Sequence, residues 1–269
     1  MNSNRSQIQV YFEELFECYD PNNFHSYRDH LSDYSLIHDD ISNLKELQRE
    51  DAKGFLFKGL LSFAQALHDI NNGLYSWATI KFYYSIYYML RTSLLNDNHC
   101  LIKNKSTYYL DISIGSKPVK KSQPRFRGDH KSTILIFKEE IGDRDILQTN
   151  TINNLNPYLW MMDRREEVNY RNIEFFEPDI NPYYQILSER DMEDTLKTII
   201  LDDNYTYCFD EDYACLALPL KRMLITLDEC NSLELKLKEE SYQLIMSLIN
   251  DLTSNQHLLS SIAKLHDNH

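Results

Sequence analysis

Apolar residues recur along much of this chain at three- and four-residue spacing, the period of an amphipathic helix. Ile8, Phe12, Leu15 and Phe16 share one side of a helix predicted over residues 5–19, which Asp20-Pro21-Asn22-Asn23 ends. Residues 24–40 are polar and irregular, with room for a short helix. The period resumes from Asn43, where Leu44 and Leu47 begin it, and Leu56, Leu60, Phe63, Leu67 and Ile70 carry it on. Gly54 and Gly59 lie inside that run and argue against one unbroken helix, since glycine costs about 1 kcal/mol there relative to alanine. Asn71-Asn72-Gly73 then supplies a C-cap signal, and a second long helix follows from about Leu74 to Leu95. So short a turn between two long helices predicts an antiparallel hairpin.

Over residues 98–129 the rhythm changes. Cys100 to Ile114 alternates in the manner of a small β-hairpin. Helices are predicted from about His130 to Gly142 and from about Asn156 to Asn172, the second with Pro157 in its first turn. Pro178 and Pro182 mark a turn, and Ser188 to Leu201 reads as a helix with Ser188 as its cap and Asp191 three residues on. Residues 221–227 read as a short strand, and two helices follow over about 232–250 and 254–265. The predicted fold class is therefore all-α, with room for a small β-hairpin.

Charge and cysteine content narrow the partners. The chain has 269 residues, enough for a buried core, and a net charge of -13. An acidic chain gains little from non-specific attraction to polyphosphate, so contact with nucleic acid requires a local basic patch. The five cysteines, Cys18, Cys100, Cys208, Cys215 and Cys230, form no C-x-x-C pair, which argues against a disulfide framework or zinc knuckle and fits a reducing cytosol. The N-terminus lacks a secretory apolar run. The most apolar stretch, Leu74 to Leu95, contains Lys81 and Arg91, and a central charge costs about 3 kcal/mol in lipid. The acidic stretch 202–212 lacks the alternating calcium-loop pattern, and no phosphate-binding glycine loop, H-E-x-x-H or G-x-S-x-G motif occurs. A cytoplasmic chain with no membrane span, no metal and no cofactor is the expectation.

Three constellations carry candidate chemistry. At 100° per residue the 74–95 helix places Phe82, Ile86, Met89 and Leu90 on a core face, and Trp77, Lys81, Tyr84, Tyr88 and Arg91 on a narrow opposite stripe. Such a stripe is either packing, a dimer interface or an anion-facing groove. The segment 117–131, KPVKKSQPRFRGDHK, sets six basic residues against one acid. Lys120, Lys121, Arg125, Arg127 and Lys131 could neutralise phosphates, with Phe126 placed to stack on a base; the plain alternative is a solvated loop. In the 156–172 helix, Arg165 and Asn169 stand at i, i+4 and share a face, where arginine can grip a phosphate through two donors. The same arginine could instead pair with Asp163, Glu166 or Glu167.

Taken in order, three segments resemble the HEPN-domain family of small prokaryotic helical proteins. Residues 78–91, ATIKFYYSIYYMLR, resemble its A-x-x-R-x-Y-Y-A-x-F-x-x-x-R helix, with Lys81 in place of arginine. Residues 128–131, GDHK, followed by Phe137, are similar to its S-H-K…F helix start, and residues 165–170, REEVNY, to its R-x-x-A-D-Y. The resemblance implies an antiparallel helical bundle over about 51–175; residues 1–50 and 176–269 are expected to be helical extensions, which it does not explain. It also implies a homodimer and a metal-independent ribonuclease-type, RNA-targeting effector in antiviral defence or toxin–antitoxin growth control. In that chemistry Arg165 holds the scissile phosphate, His130 handles protons, Asn169 and Tyr170 orient them, and Lys81, Tyr84 and the basic loop guide the RNA. The usual R-x4-6-H motif is absent after Arg165, where Asn169 and Tyr170 stand instead. Either His130 supplies the base or cleavage has been lost. The other branch of the resemblance is a non-catalytic dimeric subunit that sequesters a partner protein, such as an antitoxin or nucleotidyltransferase.

Overall fold

The computed structural model describes residues 5–121, 126, 128–177, 179–188 and 190–266, with the side chains at 186 and 188 left out. Among them run ten α-helices: α1 Gln7–Leu15, α2 Arg28–Asp33, α3 His38–Asn71, α4 Tyr75–Asn96, α5 Asp129–Glu140, α6 Pro157–Glu166, α7 Met192–Ile200, α8 Glu211–Ser232, α9 Glu239–Asn250 and α10 Gln256–Ala263. Between α4 and α5 lies one antiparallel sheet of β1 His99–Asn104, β2 Ser106–Asp111 and β3 Val119–Lys120. The molecule is thus mainly helical with a small hairpin, as the pattern predicts. The chain divides into two compact units, Met1–Gly54 with Leu90–Glu140, and Phe55–Met89 with Ile141–His269. Each unit takes one part of α3 and one part of α4.

In the first unit, carboxylates organise helix starts. Asp51 accepts Ser6 Oγ at 2.6 Å and the amides of Gln7 at 2.7 Å and Ile8 at 3.1 Å, so α1 begins on a buried anion that satisfies amides no helical carbonyl can reach. Asp40, in the first turn of α3, accepts the Ile37 amide at 2.8 Å and the hydroxyls of Tyr11 at 2.5 Å and Tyr34 at 2.9 Å. Burial, followed by the Asp40 contact, pushes the Tyr34 hydroxyl up to about 12. The predicted hairpin forms with Asn104 opposite Ser106, and β3 adds to it through Tyr108 opposite Lys120. Phe12, Leu31, Leu44, Ile102, Leu110, Ile134 and Phe137 fill this unit's core with no exposed surface. Each such side chain contributes about 1.5–3 kcal/mol.

In the second unit, Gly73 takes a left-handed φ of 72° and Leu74 N–H returns to Asp69 C=O at 2.8 Å, closing the predicted hairpin of α3 and α4. Phe63 and Phe82 meet across it at 5.5 Å and are fully buried. Neither glycine breaks α3. A Cβ at Gly54 would meet nothing within 4 Å, whereas one at Gly59 would stand 2.7 Å from Met89 Cε. Gly59 therefore leaves room for the Met89 side chain of α4, and packing there offsets the glycine cost.

Three further predictions need correction. Residues 221–227 are helical, inside α8, where Leu220, Met223, Leu224 and Leu227 are buried. A short apolar run does not distinguish a buried helix from a strand. Asp191, not Ser188, caps α7, accepting the Asp194 amide at 2.8 Å; the side chain of Ser188, like Pro178, lies outside the described residues. The helix expected to reach Asn172 is α-helical only to Glu166 and continues as a π-helical turn over Glu167–Arg171.

Candidate functional site

The second unit contains a surface where cations and aromatic rings meet. Asn156 caps α6 by accepting the Tyr158 amide at 3.1 Å, Pro157 fills the first helical position, and the buried Tyr158, Trp160 and Met161 seat the helix. Arg165 thereby points towards the half-buried stripe of α4. Its Nη2 donates to Tyr84 Oη at 3.2 Å, and its guanidinium carbon lies 5.8 Å from the Tyr83 ring, 5.7 Å from Tyr84 and 5.0 Å from Tyr170. No carboxylate among the described residues lies within ion-pairing distance of Arg165, and its buried Nε has no hydrogen-bond partner. Burial works against the charge, but the Tyr84 bond and the surrounding phenols outweigh it and hold the guanidinium above its ordinary value.

The π turn decides which neighbour Arg165 receives. Asn172 N–H bonds back to Glu167 C=O at 2.9 Å, a five-residue step. The widened turn sets the Tyr170 ring, not the Asn169 amide, against the guanidinium, so the expected i, i+4 partnership becomes i, i+5. Asn169 is exposed, and Tyr170 keeps 69% of its surface open. Such single π turns often mark functional segments.

The α4 stripe is present in part. Trp77 is exposed, and Lys81, Tyr84 and Tyr88 are half-buried, while Phe82, Ile86, Met89 and Leu90 face the core. Arg91 departs from the prediction: it is 8% exposed and belongs to the first unit, where that face is covered. Lys81 spends its charge on Asp69 at 2.6 Å. Tyr84 stacks on Tyr88 at 6.1 Å and 28°, and Tyr88 on Phe55 of α3 at 6.3 Å and 25°. Lys58 lies 5.5 Å from the Phe55 ring and 5.7 Å from the Tyr88 ring. Sequence reasoning missed Phe55 and Lys58. The available signal was the hairpin itself, since residues roughly equidistant from the turn at 71–73 face one another.

The remaining candidates lie in the first unit. His130 occupies the first turn of α5 and is half-buried. Lys120 on β3 and Lys131 on α5 are exposed. Lys121 pairs with Glu139 at 2.8 Å and Glu140 at 3.7 Å, and rests over the rings of Tyr109 and Phe126. Phe126 is buried beneath it, so its ring packs the protein instead of offering a stacking face. Arg125 and Arg127 lie outside the described residues. Among those described, no cluster of three metal-ligating side chains occurs, no helix is long and apolar enough to cross a membrane, and all five cysteines are free and buried. No family model, curated protein or solved structure matches this chain.

Proposed function

We propose that this protein is a cytosolic RNA-targeting effector of HEPN type, acting in prokaryotic defence or growth control, and that its second unit grips the RNA strand at Arg165. One observation carries the reading: Arg165 is positioned by tyrosine rings and a tyrosine hydroxyl, with no carboxylate among the described residues to neutralise it. A guanidinium so held keeps donors for a phosphate, and the adjacent exposed Tyr170 offers a base a stacking face. The chain's net charge of -13 makes local availability decisive, because no general attraction assists. In the chemistry that the resemblance implies, Arg165 stabilises the charge building on the phosphorus, and the histidine that this chemistry calls for is tested at His130. Asn169 and Tyr170 orient the strand.

The experiment incubates the purified chain with cellular RNA in the presence of a chelator, alongside Arg165→Ala and His130→Ala. Chelator-resistant cleavage that both substitutions abolish supports the effector. Cleavage indifferent to Arg165→Ala refutes it. A second reading, a non-catalytic subunit paired with another protein, draws on one apolar patch. Trp77 and Phe175 meet edge-on at 5.6 Å with 45% of each exposed, and Ile173 nearby in sequence is fully exposed. RNA left intact by every variant, together with a stable complex lost in Trp77→Ser, favours that reading.

A further inference from the structure

We infer that the RNA site extends from Arg165 along α4 to Lys58 and Phe55, forming a track for an extended single strand of at least three nucleotides. This rests on the reading of Arg165 as the phosphate grip and adds a second grip that the sequence did not single out. Phe55, Tyr88 and Tyr84 form a row with steps of 6.3 and 6.1 Å, neighbouring ring planes meeting at 25° and 28°. Lys58 stands at one end of the row, over Phe55 and Tyr88, and Arg165 at the other, beside Tyr84.

Pairing separates these two cations from their neighbours. Lys81 is neutralised by Asp69 at 2.6 Å. Arg164 is held by Asp163 and by Glu167 at 2.9 Å. Neither Lys58 nor Arg165 has a carboxylate within ion-pairing distance among the described residues, and both sit on the aromatic row. The second unit thus leaves unneutralised charge at the two ends of a row of aromatic rings. A single-stranded nucleic acid has the complementary form, with flat faces along its length and an anion at each step. A duplex turns its base faces inward and cannot use the row. A mononucleotide has one phosphate and cannot reach both ends. Stacking accepts every base, so the track reads strandedness and length more than sequence.

Fluorescence anisotropy with labelled oligoadenylates of two and six nucleotides tests the track, using wild type, Lys58→Ala, Phe55→Leu and Arg165→Ala. Lys58 is exposed, so its removal leaves the fold unchanged, and circular dichroism checks this for Phe55→Leu. Lys58→Ala and Phe55→Leu should each weaken hexanucleotide binding about ten-fold while leaving the dinucleotide within about two-fold. Lys58→Ala should also lower the logarithmic salt slope for the hexanucleotide by about 0.7, the loss of one single-strand phosphate contact. Arg165→Ala should weaken both lengths. Hexanucleotide binding unchanged in Lys58→Ala and Phe55→Leu, but weakened in Arg165→Ala, overturns the track and leaves the Arg165 site standing. Equal binding of a duplex also overturns the track. Binding unaffected by Arg165→Ala, or absent in wild type, overturns the underlying site and the track with it.

Discussion

Arg222 and Arg165 lie in the same unit and carry the same charge, yet their surroundings use it in opposite ways. Arg222, on α8, is 1% exposed and meets Glu229 at 2.7 Å, Asp145 at 3.5 Å and Thr226 at 3.2 Å. Tyr158 donates to the same Asp145 at 2.5 Å, and burial followed by that carboxylate raises its hydroxyl well above the ordinary value. Every charge there is answered inside the protein, which makes the cluster a strut. At Arg165 the contacts are rings and one hydroxyl, so the position of the guanidinium is fixed while its charge is not cancelled. Residue type therefore says little about availability; the neighbouring carboxylates decide it. The basic segment 117–131 makes the same point, because Lys121 spends its charge on Glu139 and Glu140.

Substitutions should separate strut from grip. The largest effect belongs to Arg222→Ala, which strands Asp145 as a buried unpaired carboxylate and should cost about 3–5 kcal/mol in chemical denaturation. Arg165→Ala comes next: RNA affinity should fall about ten- to a hundred-fold, the worth of a charged hydrogen bond, while stability stays within about 1 kcal/mol of wild type. Stability loss equal to that of Arg222→Ala would erase the distinction. Lys121→Ala should cost about 1 kcal/mol of stability and leave RNA affinity within about two-fold, since its charge is already paired. The smallest effects test the rigidity of α3 under Phe55 and Lys58. Gly54→Ala should stabilise by about 0.5–1 kcal/mol, and Gly59→Ala should forfeit that gain against Met89, both read by thermal unfolding.

The sequence made the α3–α4 hairpin legible because its signals are local: a helical period on each side and a glycine between. It also placed Trp77, Lys81, Tyr84 and Tyr88 on one stripe, since a helix fixes angular position. What it could not carry was pairing across distance. Nothing near Lys121 announces the carboxylates that neutralise it eighteen residues on. Arg91 obeys the stripe's geometry, yet the covering of that face depends on other elements. The π turn after Glu166 shifts the register by one residue and replaces Asn169 with Tyr170 beside Arg165. Residues 221–227 look like a strand in the sequence because a buried helix and a buried strand share the same short apolar run.

Cross-linking with a single-stranded RNA containing 4-thiouridine, followed by peptide mass mapping, compares the two cationic regions in one measurement. Bound RNA should mark peptides carrying Tyr84, Tyr88 and Tyr170, with those marks lost in Arg165→Ala. Cross-links confined to residues 117–131, or unchanged when Arg165 is removed, would contradict the assignment of RNA to the tyrosine-lined surface.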